Sequence, residues 1–338
     1  MAFKDFLKRK NIEISAKRYA IDALGAMAQG LFASLLIGTI LNTLGTQLGI
    51  PALTACGGYA SSMSGAAMAI AIGYALQAPP LVLFSLATVG YAANALGSTT
   101  LSGGKVAGGP LAVLFIAVIA AEFGKAVSKE TRVDILVTPL VTILVGVGLS
   151  ALIAPAIGTA ASSIGSVIMW ATDLQPFLMG IVVSVVIGMA LTLPISSAAI
   201  CAALGLTGLA GGAAVAGCCA QMIGFAVMSF KENKWGGLVS QGIGTSMLQM
   251  GNIVRNPWIW VPPIAASAVT GPIATCLFRL QMNDPASAVA SGAKAGITGM
   301  DWLGLILISF ILPAVLTPLF AIPLRRAGRI KDGDMTLQ

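Results

Sequence analysis

The sequence predicts an all-α polytopic membrane protein, with about eight to ten membrane segments of ~20 residues each and re-entrant hairpins between some of them. Three observations carry that expectation. Charged residues make up 9% of the 338 residues, where a soluble domain carries about 25%. Apolar runs of span length recur along the whole chain, too continuous for the alternation that a membrane β-barrel needs. The 40 glycines suit membrane helices, whose backbones approach most closely at small residues.

The net charge of +7 sits mostly at the two ends. No basic face with interleaved aromatics accompanies it, so nucleic acid is not the expected partner. Cations beside membrane segments mark the cytoplasmic side, which places both termini there and makes the number of crossings even. Cys56, Cys201, Cys218, Cys219 and Cys276 stand among apolar or small neighbours without zinc-ligand spacing. They read as packing residues rather than as a disulfide or metal framework.

Residues 1–18 alternate Lys4, Lys8, Arg9, Lys10, Lys17 and Arg18 with Phe3, Phe6, Leu7, Ile12 and Ile14. This is the pattern of an amphipathic segment lying on the inner leaflet. Residues 19–326 form a single integral-membrane domain, and 327–338 a cytoplasmic tail. The first span is expected over 19–41, with Asp22 near its cytoplasmic end. The second is expected over 56–76, opening on a small, polar patch and ending before Pro79-Pro80; the third covers 81–96. A fourth, over 111–123, is short for a ~30 Å core, which points to part of the preceding glycine loop lying within the membrane.

Glu122, Lys125, Lys129, Glu130, Arg132 and Asp134 then read as a solvated loop of mixed charge. The fifth span is expected over 135–157, followed by a separate interfacial helix over 158–173. The sixth lies over 177–193 and the next over 213–230. Two final spans cover 261–278 and 302–322, separated by the polar stretch 279–301.

Three irregular zones carry the functional expectation. In L-S-G-G-K-V-A-G-G-P, residues 101–110, four glycines surround Lys105 and a proline opens the following helix. Broken helix entries with exposed amides are where transporters place substrate, so Ser102, Gly104 and Lys105 are candidate binding residues. P-I-S-S-A-A-I from Pro194 suits a re-entrant hairpin with Ser196 and Ser197 at its tip, and Gln221 follows in the next helix. The third zone, residues 235–257, carries Gln241, Gln249, Asn252 and Arg255 at helical spacing. A polar stripe of this kind in a membrane protein faces a cavity or another subunit, which adds Gln249, Asn252 and Arg255 to the binding set. Glu122, Asp22 and Asp134 are the acids nearest the ends of the first five spans and are candidates for ion coupling or gating. The segment 206–214 also echoes 101–110, as an internal duplication would.

Three stretches taken together resemble a known family. They are G-G-K-V-A-G-G-P (103–110), V-D-I-L-V-T-P-L-V-T-I-L-V-G (133–146) and T-S-M-L-Q-M-G-N-I-V-R-N-P (245–257). The chain resembles the phosphotransferase-system subunit IIC-like membrane proteins, in the branch named after the perfringolysin regulator, across residues 19–326. The resemblance implies a homodimer of helical subunits with re-entrant hairpins, each with a dimerising scaffold and a substrate-carrying transport domain. Sugar-phosphorylating members hold their sugar with a histidine and a glutamate, whereas this chain has no histidine.

The expectation is therefore a transporter of a small polar or anionic solute, of the elevator type and without substrate phosphorylation. It is expected to be no enzyme and to use no cofactor or metal. Its expected partners are the solute, the bilayer of the cell membrane and a second copy of the chain. Two other readings stay open: a membrane-embedded ligand sensor of the same fold, and a sugar permease of the phosphotransferase system.

Overall fold

The computed structural model describes residues 3–15, 17–99, 109–172, 174–194, 206, 208–281 and 299–337. All elements among them are helical. Seven of the described helices are long and apolar enough to cross a membrane, and two shorter apolar ones, Ser64–Ala75 and Pro176–Thr192, accompany them. The chain is an all-α polytopic membrane protein. It divides into two compact units, Met1–Ala161 and Ser162–Gln338.

The first unit begins with α1 (Phe3–Arg9). A continuous apolar helix, Ala23–Leu48, follows a π-helical turn at Arg18–Asp22. It comprises α2 (Ala23–Leu31) and α3 (Ile37–Leu48). Gly49 ends it in the left-handed conformation, φ 67°, which glycine adopts without the Cβ clash other residues meet. Ile50 is extended, as the residue before a proline tends to be, and Pro51 starts α4 (Pro51–Ser62). The chain breaks at Met63 and continues as α5 (Ser64–Ala75).

The second span thus covers 51–75 in two pieces, rather than an unbroken 56–76. It runs back along the first, with α4 on α3 and α5 on α2. The small, polar patch is the reason the two can touch. A Cβ on Gly38 would lie 2.3 Å from Ser61 Oγ, and one on Gly57 would lie 2.5 Å from Gly38 O. Pro79-Pro80 then starts α6 (Pro80–Gly97).

Two sequence expectations change in this unit. Helix α7 runs over Gly109–Val127, 19 residues that begin with the last glycine and the proline of the 101–110 stretch, so the fourth span is longer than the expected 111–123. It takes in Glu122 and Lys125, which are helical rather than part of a solvated loop. Helix α8 (Asp134–Thr172) is a single 39-residue element, and the separate interfacial helix expected over 158–173 is its continuation. The glycine, alanines and serines of 158–163 do not interrupt this helix. Leu136, Leu140, Leu144 and Leu152 stand exposed along α8, an apolar stripe suited to lipid.

The second unit is built on α9 (Pro176–Thr192), α10 (Gly208–Met228), α13 (Val261–Pro272) and α15 (Leu312–Arg326), which pack on one another. Small residues set these distances too. A Cβ on Gly217 of α10 would fall 1.9 Å from Ser184 O of α9, and the Ser184 hydroxyl donates to Ser267 O of α13 at 2.7 Å. Between α10 and α13 lie α11 (Phe230–Val239), a π turn Ser240–Gly244, a 3-10 turn Ser246–Gln249 and α12 (Met250–Arg255). Helix α14 (Gly299–Ile306) leads into α15. The re-entrant hairpin expected at Ser196-Ser197 lies outside the described residues, as does the broken helix entry expected at 101–110 up to residue 108.

Candidate functional site

In unit 1 the polar residues gather at one end of the helices. Lys125, on the last turns of α7, is buried, with a side chain 1% exposed, and pairs with Glu122 one turn earlier at 2.9 Å. A lysine kept from water is stable only if its charge is met, since an isolated buried charge is far costlier than a paired one. Lys125 Nζ also donates to Leu76 O at 3.1 Å, and Tyr19 donates its hydroxyl to Glu122 Oε1 at 3.1 Å. Leu76 O, at the C-terminal end of α5, receives Arg18 as well, at 2.8 Å. Carbonyls at a helix C-terminus lack partners within the helix and favour cations.

Residues 9–18 close over this cluster. Arg9 meets Glu130 at 2.8 Å, Lys10 meets both Glu130 and Ser128 O, and Asn11 donates to Gln77 Oε1 at 2.6 Å. The basic segment expected to lie on the leaflet is thus bonded to the protein through several of its cations. The Lys10 hydrogen bond holds the Glu130 carboxyl below its usual range.

In unit 2 the polar groups fall into two layers. The inner one centres on Gln221, fully buried within α10. Leu193 ends α9 in an extended conformation because Pro194 follows, which leaves Thr192 at the tip of that helix. Gln221 Oε1 accepts from Thr192 Oγ1 at 3.3 Å and from the Trp260 indole at 3.1 Å. Thr192 Oγ1 and Ser246 Oγ share a further hydrogen bond at 2.8 Å. An indole nitrogen can only donate, so the side-chain oxygen of Gln221 must face it. Its amide nitrogen is thereby committed elsewhere, and among the described residues that buried nitrogen has no acceptor.

The outer layer is a row of amides. Gln241 donates to Ser229 Oγ and Gly237 O at 3.0 and 3.1 Å. Gln249 donates to Gln241 Oε1 and Asn252 to Gln249 Oε1, at 3.0 and 2.8 Å. The row ends on main chain from the far end of the sequence. Met335 O accepts from Gln249 at 3.0 Å and from Asn233 at 2.8 Å. Thr336 O accepts from Asn252 at 3.0 Å, Arg329 O from Asn256 at 2.8 Å, and Leu337 N donates to Asn233 Oδ1 at 2.8 Å. Gly333, at φ 95°, turns the segment, and Met335 and Ile330 are buried, 0% and 3% exposed. The Arg329 guanidinium lies 4.9 Å from the centre of the Trp258 ring.

These observations sort the residues singled out from sequence. Gln221 lies in the inner layer, while Gln249 and Asn252 bind the chain's own 329–337 segment. Arg255 is exposed on the last turn of α12. Ser102, Gly104, Lys105, Ser196 and Ser197 lie outside the described residues. Glu122 belongs to the ionic cluster of unit 1. Asp134 opens α8, accepting from Lys129 N at 2.7 Å and Thr138 Oγ1 at 2.6 Å, and Asp22 is half-buried at the end of the first π turn. Thr192, Ser246 and Trp260 were missed. The T-L-P sequence that ends α9 was the available signal for Thr192; the other two meet Gln221 only through the fold. Cys56, Cys218, Cys219 and Cys276 carry no disulfide, Cys201 lies outside the described residues, and no cluster of three metal-ligating side chains occurs among the described residues.

A family model described as "Phosphotransferase system, EIIC" matches residues 21–337. Neither curated proteins nor solved structures yield a match to the chain. The family match covers nearly the whole of both units and agrees with the multi-pass helical fold, with its seven apolar helices among the described residues. By that match the chain belongs to the phosphotransferase-system EIIC family, whose members are membrane permease components.

Proposed function

We propose that the protein carries a small, uncharged, hydroxyl-rich solute across the cell membrane, and that Gln221, Thr192, Ser246 and Trp260 of unit 2 hold it. The observation that carries this reading is the buried Gln221 amide nitrogen without an acceptor among the described residues. Leaving a buried donor unmet costs about 1–3 kcal/mol, and a solute oxygen would remove that cost. The two hydroxyls beside it can donate or accept, and the Trp260 ring offers an apolar face of the kind that suits a sugar ring. No charged side chain bonds to this group in the described contacts, which favours a neutral solute over an anionic one. The family supports a sugar-type solute.

The reading assigns unit 2 as the carrier of an elevator-type dimer, with unit 1 as its scaffold. Transport occurs without phosphorylation of the solute. A chain without histidine lacks the histidine that sugar-phosphorylating members use on the sugar.

The test is counterflow in proteoliposomes with labelled hexoses and polyols, alongside hexose phosphates and carboxylates. Neutral solutes should exchange without chemical change, and Gln221→Leu should reduce exchange at least tenfold while helicity and dispersity persist. Exchange of anions alone, or full exchange by Gln221→Leu, would overturn the assignment.

A further inference from the structure

The amide row of unit 2 makes its longest-range contacts to main-chain atoms. Asn233, Gln249, Asn252 and Asn256 donate to the carbonyls of Met335, Thr336 and Arg329, and Asn233 accepts from Leu337 N. These bonds read the main chain of a segment that turns at 332–335, where Asp334 N donates to Lys331 O and Thr336 N to Gly333 O, and Asn256 also donates to the Asp334 carboxylate at 2.8 Å. Two buried apolar anchors, Met335 and Ile330, and the Arg329–Trp258 contact complete the seat. The supports of this groove are unusually irregular: a π turn at Ser240–Gly244 and a 3-10 turn at Ser246–Gln249.

That 3-10 turn is four residues long and touches both layers. Its first residue, Ser246, bonds Thr192 of the inner group at 2.8 Å. Its last, Gln249, bonds Met335 O at 3.0 Å. A 3-10 turn has poorer hydrogen-bond geometry than an α-helix and converts easily to neighbouring forms. Losing Met335 O and Thr336 O would leave the Gln249 and Asn252 amides short of acceptors, and the turn carrying Ser246 would have to adjust to satisfy them.

We propose that the amide row is a receptor site for a turned stretch of peptide backbone, filled here by the chain's own 329–337 segment, and that its occupancy sets the Thr192–Ser246–Gln221 group through the Ser246–Gln249 turn. Seating and release of the segment then switch the inner group between two arrangements. The coupling to solute rests on the function proposed above; the receptor site does not.

The experiment uses protein whose tryptophan is confined to Trp260, with Trp170, Trp235, Trp258 and Trp302 changed to Phe, so that a ring remains beneath Arg329. It is compared with the same protein ending at Gly328 and with the full chain bearing Met335→Asp. The probe is a labelled synthetic peptide of residues 329–337. The shortened protein should bind this peptide saturably. A Met335→Asp peptide, a scrambled peptide of equal charge, or Gln249→Leu in the receptor should each weaken binding at least tenfold. Trp260 emission should shift on shortening and on Met335→Asp, and should return when the peptide is added to the shortened protein.

Equal binding of native and scrambled peptide, or none by a shortened protein of unchanged helicity, overturns the receptor site. Peptide binding with Trp260 emission constant throughout overturns the coupling. If the shortened protein does not fold, amide exchange of 329–337 in the full-chain Met335→Asp variant decides: protection equal to the parent overturns the seat. Absence of solute exchange in every form, with Trp260 still responding, would overturn the solute reading and leave the switch intact.

Discussion

Unit 1 and unit 2 each hold a flanking segment of the chain, and the chemistry differs. In unit 1, Arg9, Lys10 and Arg18 are received by Glu130, Glu13, Ser128 O and Leu76 O, next to the buried Glu122–Lys125 pair. In unit 2, neutral amides receive carbonyls from residues 329–336. Charge gives unit 1 reach and strength but ties it to salt and proton concentration. Amides give unit 2 geometric selectivity with little response to either. The same contrast separates the interiors: unit 1 buries a matched ion pair, while unit 2 buries a donor with no acceptor among the described residues. A matched pair is a structural solution, whereas the unmet donor is the observation behind the proposed solute contact at Gln221.

The comparison breaks most readily at Lys125. Lys125→Met leaves the Glu122 carboxylate in a site built for its partner and should cost about 3–5 kcal/mol, read from denaturant unfolding in a fixed detergent. Glu122→Gln combined with Lys125→Met should recover most of that loss, since replacing both charges is often close to neutral. A single-variant cost below about 1 kcal/mol, the range of exposed pairs, would make the pair incidental.

Gln249→Leu comes next. It removes the donor to Gln241 and Met335 O and the acceptor for Asn252, with an expected loss of about 1–3 kcal/mol. The loss should be the same at low and high salt, unlike any change in unit 1.

Acid and salt sharpen the contrast further. Glu130 has a carboxyl held below its ordinary value by Lys10 and then Arg9. A depressed folded value means that its contribution is complete above the unfolded value, about 4.3, and is lost as pH falls through the folded one. Amide exchange of residues 3–15 should therefore rise below that range. It should also rise as salt moves from 0.15 to 1 M and screening shortens from about 8 to about 3 Å. Protection of 333–337 should not follow. The smallest effect is expected at the exposed Lys231–Asp332 pair, where Asp332→Asn should leave exchange of the 329–337 segment unaltered.

How far the sequence revealed these arrangements depends on separation along the chain. Pro80 and Pro176 mark helix starts by local chemistry, and the spans they open were legible; Pro51 marks one as well, but the span it opens was expected only from residue 56. That Gln241, Gln249 and Asn252 come together was legible, though not on the one helix that their spacing suggested, since Thr245 between them is extended. What that group binds was not, because its partners lie 84 and 86 residues away and are main-chain atoms, which every residue carries. Lys125 was misread for a related reason. A charge beside Phe123 and Gly124 looks like a helix end, and only Leu76, 49 residues earlier, makes it a buried group. The expectation of a separate helix at 158–173 rested on apolar and small residues at helical spacing, a pattern that the continuation of α8 carries equally well.

The ionic cover of unit 1 has a consequence for biosynthesis. Arg9 and Glu130 are 121 residues apart, so the N-terminal segment is made long before its receiver exists. At about 5–20 residues per second, that interval is roughly 6–24 s. During it Arg9 and Lys10 have only lipid headgroups, ribosome surface or chaperones to meet in place of Glu130. The 329–337 segment has no such wait, because Asn233 to Asn256 precede it from the ribosome. Folding factors that engage the nascent chain should therefore be found on the first segment and not on the last.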